Sequence, residues 1–313
     1  MKQNKKKSSR PVEVNLKNVK RQSPLLIWSA VFLAYGVLFY YVPLAGWVMA
    51  FQNYKPKTGL LRSKFVGMAK FEFLFSDHTF LRVIRNTFAM GVLNLVCTFV
   101  MAIGFAILLN EIKSRFGKRT VQTISYLPHF LSWIIVVGIL HDALSSTGIV
   151  NEMLVRMHLI SSPISFFSHP RLFWPIVAFA HVWKETGWNA IIYLAAITSI
   201  DPSLYEAAAI DGAGRWQKIK YITLPGIRPT IMILLLLNIG NVLNAGFEVQ
   251  YLMRNGLIQS VTDTIDIYVL TWGISQSDFS VGTAAGIFKS AVAIALIVIA
   301  NGIAKRTGEE RLF

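Results

Sequence analysis

The sequence has 313 residues, of which 54% are hydrophobic and 15% charged, against the roughly 25% charged residues usual in soluble domains. With a mean hydropathy of +0.50, it excludes a soluble globular class and predicts a multi-spanning membrane protein. The net charge of +15 does not call for nucleic acid, because basic residues gather at the ends of apolar runs, where they set topology and meet lipid.

The leader, residues 1–24, carries the basic stretch "KQNKKKSSR". It is expected to be disordered and to touch anionic lipid. The first apolar segment, from Leu25 to Phe51, is longer than the apolar core of a signal peptide, so it reads as a retained helix. Further apolar runs reach the roughly 20 residues needed to cross a bilayer. They lack the period-two alternation of barrel strands, so the fold class is all-α. Six spanning helices are predicted, at 25–52, 86–110, 121–142, 172–199, 229–252 and 283–304. The third is short, and Pro128 interrupts it near its start. The fourth follows Pro170 and holds Pro175 in its first turn, where proline is tolerated. Cys97 is the only cysteine; it excludes a disulfide framework or Cys-based metal site and reads as a small core residue.

The resulting organisation is a tail at 1–24, a first helix with its outer loop at 25–85, a core at 86–304 and a tail at 305–313. Charge orients these parts. Segments 1–24, 111–120, 200–228 and 305–313 hold 19 Lys and Arg, whereas the longer segments 53–85, 143–171 and 253–282 hold 10. Both termini and loop 200–228 are therefore expected in the cytoplasm. Segment 53–85 alone holds seven of those ten, but long loops follow the charge rule less closely.

Loop 200–228 is strongly patterned. Ser203 and Glu206 have capping-box spacing after Asp201 and Pro202, which predicts a short helix from Leu204 to Asp211. Gly212 suits the left-handed position that ends it, and Gly214 permits a second bend. A second helix over 215–223 is expected to place Trp216, Ile219 and Ile222 or Thr223 on one side, with Arg215, Lys218 and Gln217 largely elsewhere. Pro225 and Pro229 are expected to stop it before the fifth span. Ala207, Ala208 and Ala209 give the first helix a smooth surface that can sink into a partner's groove. Alanines are also simply good helix formers, and the residues alone leave both readings open.

The spacing Glu206-Ala207-Ala208, three residues, Gly212, nine residues, Ile222-x-Leu224-Pro225 resembles the EAA signature of permease subunits of binding-protein-dependent ABC importers of the maltose-permease type. The segments "YLPHFLSWIIVVGIL", "WKETGWNAIIYLAAITSIDPSLYEAAAIDGA", "ITLPGIRPTI", "GFEVQYLM" and "ERLF", with "PLAGWVMAFQNYKP", look like the LplB branch of sugar permeases and cover nearly the whole chain. The resemblance implies a type I ABC importer fold in which Glu206, Ala207, Ala208, Asp211, Gly212, Leu224 and Pro225 belong to a helix that docks in a cytoplasmic ATPase. Glu206 then has two compatible roles, capping its helix and contacting the ATPase. The implied partners are a second homologous permease, two ATPase subunits, an extracytoplasmic solute-binding protein and an oligosaccharide released from polysaccharide. ATP and Mg are implied at the ATPase, and no cofactor on this chain.

Polar groups inside spans are expected to face a cavity or another helix. The fourth helix offers Trp183, Lys184, Glu185, Trp188 and Asn189; the fifth offers Asn238, Asn241, Asn244 and Glu248. Asn241, Asn244 and Glu248 follow i, i+3, i+7 spacing and are expected to share one face. Trp faces stack on sugar rings and amides satisfy hydroxyls, although Asn also glues helices and Trp sits in interface belts. The resemblance places a sugar site on these two helices. Glu248 is in a position to neutralise Lys184 or Lys289. A secondary sugar carrier would use such ionisable groups as a relay, but no inverted repeat is visible. There is no Walker A sequence, no HExxH and no GxSxG, which argues against ATP hydrolysis by that route, a zinc site or an intramembrane hydrolase.

Overall fold

The computed structural model describes residues 22–309, so the basic leader up to residue 21 and the ending "ERLF" lie outside the described residues. The chain divides into two compact units, residues 1–48 and 49–313. The first unit holds most of α1 (Ser23–Phe51). This helix is α-helical to Gly36, makes one π turn at Val37–Tyr41 and tightens to a 3-10 helix from Val42. Pro24 sits in its first turn, where a missing N–H costs nothing. No residue of its α-helical part is buried, as suits a helix that is apolar all round.

The second unit opens with a two-residue antiparallel pairing of β1 (Gln52–Asn53) with β2 (Lys64–Phe65), an exception to an otherwise helical architecture. Helix α2 (Ala69–Ser76) follows, then α3 (His78–Glu111). Asp77 caps α3 by accepting from the Thr79 amide at 2.8 Å, which starts the helix eight residues before the predicted edge. Its 34 residues span about 51 Å, well beyond a bilayer core of roughly 30 Å.

The third predicted span is broken. Helix α4 (Arg115–Tyr126) leads into a 3-10 turn, Leu127–Phe130, and the chain restarts as α5 (Trp133–Leu144) and α6 (Ile149–Arg156). Pro128 removes a donor from the α ladder, and Ser132 offers its side chain to the Ile135 amide as a new cap. The fourth span is α7 (Pro170–Thr198), close to expectation and with Pro175 inside it. Helix α8 (Pro202–Ile210) occupies the patterned loop.

The fifth predicted span, 229–252, is corrected at both ends. Helix α9 (Arg215–Gly240) runs without interruption through Pro225 and Pro229. A π turn at Ile219–Thr223 widens the ladder just where the Pro225 ring would meet the Tyr221 carbonyl, so the prolines do not stop the helix. It ends at Gly240, and after an irregular segment α10 (Phe247–Met253) begins. Helix α11 (Ile265–Ser275) then folds back onto α12 (Phe279–Thr307), which Asp278 caps through the Val281 amide at 3.1 Å.

Five described helical segments have the length and apolarity to cross a membrane: α1, α3, residues 133–156, α9 and α12. Helix α7 is 29 residues long, enough to span, and is the sixth. Its mid-helix polar residues dilute its hydropathy. The second unit has three buried clusters. One joins α2, α3, α11 and α12 around Phe80, Tyr268 and Ala284. The others pack α3 against α7: around Met90, Phe173 and Val249 with α10, and around Ala106, Tyr193 and Ile227 with α9.

Candidate coupling loop and membrane cavity

The loop helix α8 starts two residues earlier than its sequence signals suggest. Asp201, not Ser203, is the cap: its carboxylate accepts from the Ser203 amide at 2.9 Å, and Pro202 takes the first helical position. Those hydrogen bonds from Ser203 hold the Asp201 carboxyl below its ordinary pKa. Glu206 is therefore past the first turn and cannot reach back as a capping-box partner. It is exposed and makes no hydrogen bond or ion pair among the described residues.

Gly212 ends α8 in the expected left-handed conformation, with φ of +77°. The Gly212 amide donates to the Ala209 carbonyl at 3.2 Å, and the Ala213 amide to the Ala208 carbonyl at 2.8 Å. This is the two-bond Schellman arrangement. Gln217 then accepts from the Gly214 amide at 2.7 Å and fixes the start of α9. Ala207, Ala209 and Asp211 are exposed, Ala208 is half-buried, and Ile210 is 88% exposed, so α8 presents an uncovered, small-residue face. Leu224 and Pro225, which directly follow the π segment, are also exposed.

Of the expected face, Ile219 and Ile222 are half-buried, and Trp216 and Thr223 differ most. Trp216 is 82% exposed, whereas Thr223 is buried, because the π turn shifts the angular register between them. The Tyr205 hydroxyl meets Thr223 Oγ1 at 2.9 Å and ties α8 to that turn.

Deeper in the second unit, α3, α7 and α9 enclose a cavity of about 320 Å³. It is of the size of small-molecule sites. Helix α7 contributes His181, Glu185 and Asn189 at i, i+4 and i+8. Asn238 and Asn241 come from the end of α9, and Asn244 from the segment beyond it. That segment breaks the presumed single face: Asn241 and Asn244 line the cavity, while Glu248, on α10, does not. Non-helical backbone at membrane depth is tolerated where it is packed in protein or lines a cavity. The broken segment packs tightly on α3. Gly91 on α3 lies so close to the Val242 carbonyl that a Cβ there would stand 1.8 Å from the oxygen.

Trp183 and Trp188 do not line this cavity. The Trp188 ring instead stacks on His129, with centroids 4.5 Å apart. Lys184 is buried and donates to the His129 carbonyl, left free by the end of the 3-10 turn. Its neighbour Glu185 accepts from His129 Nδ1 at 2.8 Å and stands 3.6 Å from the Lys184 amine. Lys289 pairs with Asp266 at 2.6 Å. Glu248 thus neutralises neither lysine.

Among the polar lining residues, the sequence reading did not single out Asn94 and Thr98 on α3 or His181 and Tyr193 on α7. For Asn94, Thr98 and His181 the signal was the four-residue spacing of polar groups in apolar runs. Asn94 Oδ1 and His181 Nε2 are buried with no hydrogen-bond partner among the described residues, the kind of open valence that a polar ligand or water satisfies.

Residues 95–308 match the family described as the binding-protein-dependent transport system inner membrane component. The chain is 44% identical over 280 residues to the polygalacturonan/rhamnogalacturonan transport system permease protein YteP of Bacillus subtilis (strain 168), covering 89% of this chain and 87% of YteP. It is equally, 44%, identical over 282 residues to protein LplB of the same strain, covering 90% and 88%. Among solved structures, a chain of a bacterial ABC transporter involved in import of the acidic polysaccharide alginate superposes with a TM-score of 0.86 at 39% identity, covering 93% of this chain and 98% of that one.

Proposed function

The chain belongs to the binding-protein-dependent transport system inner membrane component family, and from that premise we propose that it is the permease subunit of an ABC importer for oligosaccharides cut from polysaccharides. It works beside a second homologous permease, over two ATPase subunits that take the ATP and Mg, and beneath an extracytoplasmic solute-binding protein. Both termini and α8 lie in the cytoplasm, supported by the 19 Lys and Arg on that side against 10 on the other. The alginate transporter has been solved with an alginate-pentasaccharide-bound periplasmic protein, which supports the same delivery arrangement here.

One observation carries the reading. A single helix, α9, starts at the loop that follows α8 and ends at the asparagines of the cavity. Its 26 residues make a rod of about 39 Å. Closure of the ATPase pair draws the two loop helices together, and α9 carries that displacement to Asn238 and Asn241. Glu206, Ala207, Ala208, Asp211 and Gly212 form or shape the docking face, and Leu224 and Pro225 lie on α9 just beyond the π turn. Glu185, Asn189, Asn241 and Asn244 offer hydrogen bonds to sugar hydroxyls during passage.

The test is gentle purification of the tagged chain, identification of its partners and measurement of ATPase activity with binding protein and oligosaccharide. An ATPase that co-purifies and is stimulated is expected. Uptake by this chain alone, driven by an ion gradient, would overturn the proposal in favour of a secondary carrier.

A further inference from the structure

A second, open pocket of about 440 Å³ adjoins the α9–α10 break and is lined by Asn244, Gly246, Phe247, Glu248, Asp266 and Lys289. Asn244 lines both cavities, so they meet at the break. The three ionisable side chains come from α10, α11 and α12. Ionisable groups in or beside spanning helices are costly unless they face water, a partner or a substrate route. The Lys289–Asp266 pair is only partly covered, with side chains 17% and 30% exposed. Glu248 is exposed and has no ion-pair partner among the described residues. The Phe247 ring adds an aromatic face, stacked on Tyr251 at 5.4 Å and 20°.

Carboxylates accept pairs of sugar hydroxyls, an ammonium donates to ring and hydroxyl oxygens, and an aromatic ring packs on the C–H face of a sugar. Lys289 already has its charge matched by Asp266, so Glu248 leaves the cavity negative and unsuited to a uronate carboxylate. We propose that Phe247, Glu248, Asp266 and Lys289 form an outer subsite that takes an uncharged sugar ring by its hydroxyl groups before the chain passes Asn244 into the amide-lined cavity. This rests on the oligosaccharide importer reading above. Left-handed Gly246, with φ of +86°, is the turn that separates the two subsites along the route.

The experiment uses the assembled transporter in proteoliposomes with Cys97→Ser as background. Glu248→Cys and, separately, Lys289→Cys are exposed to a charged, impermeant methanethiosulfonate added on the binding-protein side, with and without vanadate trapping. Labelling of either in at least one state is expected; no labelling of both in every state overturns the proposal, whatever the transported sugar is. The second arm measures uptake of rhamnogalacturonan fragments of graded length. Glu248→Gln and Lys289→Met are expected to raise KM for the longest fragments roughly tenfold, as loss of a charged hydrogen bond does, with kcat and the shortest fragment unchanged. Equal effects at all lengths, or none, overturn the subsite. Failure of the unaltered transporter to take up any fragment with ATP counts against the importer's substrate reading instead, and the labelling arm then decides the subsite alone.

Discussion

The hydroxyl of Tyr205 on α8 lies 2.9 Å from the hydroxyl of Thr223 in the π turn of α9. Thr223 is buried and also donates to the Lys218 carbonyl at 3.4 Å, which makes Tyr205 the donor of the pair. It is a strut between the docking helix and the rod leading to the cavity. Tyr205→Phe keeps the ring and removes the strut, costing about 1 kcal/mol locally. The expected outcome is an intact complex with unchanged KM for sugar and several-fold lower uptake per ATP hydrolysed. Parallel measurement of uptake and ATPase rate in proteoliposomes checks it; an unchanged ratio would show that the strut carries no motion.

Gly212 isolates a backbone effect from a steric one. A Cβ there would meet nothing within 4 Å, yet its φ of +77° disfavours any other L-residue. Gly212→Val should therefore destabilise the elbow by roughly 1–2 kcal/mol and abolish most transport, whereas Gly212→Asn, which tolerates this region, should retain much of it. Uptake assays of both variants, with complex assembly checked by size-exclusion chromatography, separate the cases. Equal loss in both would point to a contact with the partner rather than to backbone conformation.

Gly91 and Gly104 lie on the same helix and predict opposite responses. A Cβ on Gly91 would stand 1.8 Å from the Val242 carbonyl oxygen, whereas one on Gly104 meets nothing within 4 Å. Gly91→Ala should cost at least the roughly 1–3 kcal/mol of overpacking, since backbone must move. Gly104→Ala should be neutral or gain up to about 1 kcal/mol of helix stability. Thermal unfolding of the purified complex reads both. A stable Gly91→Ala variant would mean that the break at residues 241–246 is free to shift.

That same contact is part of what the sequence did not reveal. Asn241, Asn244 and Glu248 have helical spacing, which hid the local signal against a helix: Gly240 and Gly246 flank the break, and Gly246 is left-handed with φ of +86°. The close approach of Gly91, some 150 residues away in sequence, could not be read from that spacing. The third span's interruption at Pro128 was legible, because a proline and a cap-forming Ser132 stand close together. The existence of α8 was legible from Asp201 and Pro202, but the capping-box spacing of Ser203 and Glu206 moved its start: proline prefers the first helical position, which makes Asp201 the cap. The through-running prolines of α9 were not, since a π turn has no sequence signature of its own here. Glu185, Asn189, Asn241 and Asn244 were found as polar residues in apolar runs. Trp183 and Trp188 lie outside the cavity's lining, since aromatic chemistry alone does not say which way a ring points.

Lys184 serves the fold rather than the sugar. Its amine holds the free carbonyl of His129, while Glu185 holds the His129 ring. Lys184→Met would leave the carbonyl and the part-buried carboxylate without their cation, at a cost of about 3 kcal/mol or more. Lys184→Arg should restore part of that stability. A drop in Tm for the methionine variant with partial recovery in the arginine variant is the expected pattern in detergent. Full stability of Lys184→Met would place the lysine outside the structural network.

Glu206 supplies the sharpest separation of stability from coupling. It does not cap α8, it is exposed, and it has no partner within the described residues. Glu206→Gln should therefore change stability by no more than about 0.5 kcal/mol, as exposed substitutions away from special features do. If its charge meets a cation on the ATPase, the same change should lower substrate-stimulated ATPase activity and uptake together, and more so at low ionic strength, where a partly exposed pair is strongest. Tm, uptake and ATPase rate measured on one preparation test both halves. Full transport with unchanged Tm would show that the docking contact is made by the alanine surface and the backbone, with the carboxylate dispensable.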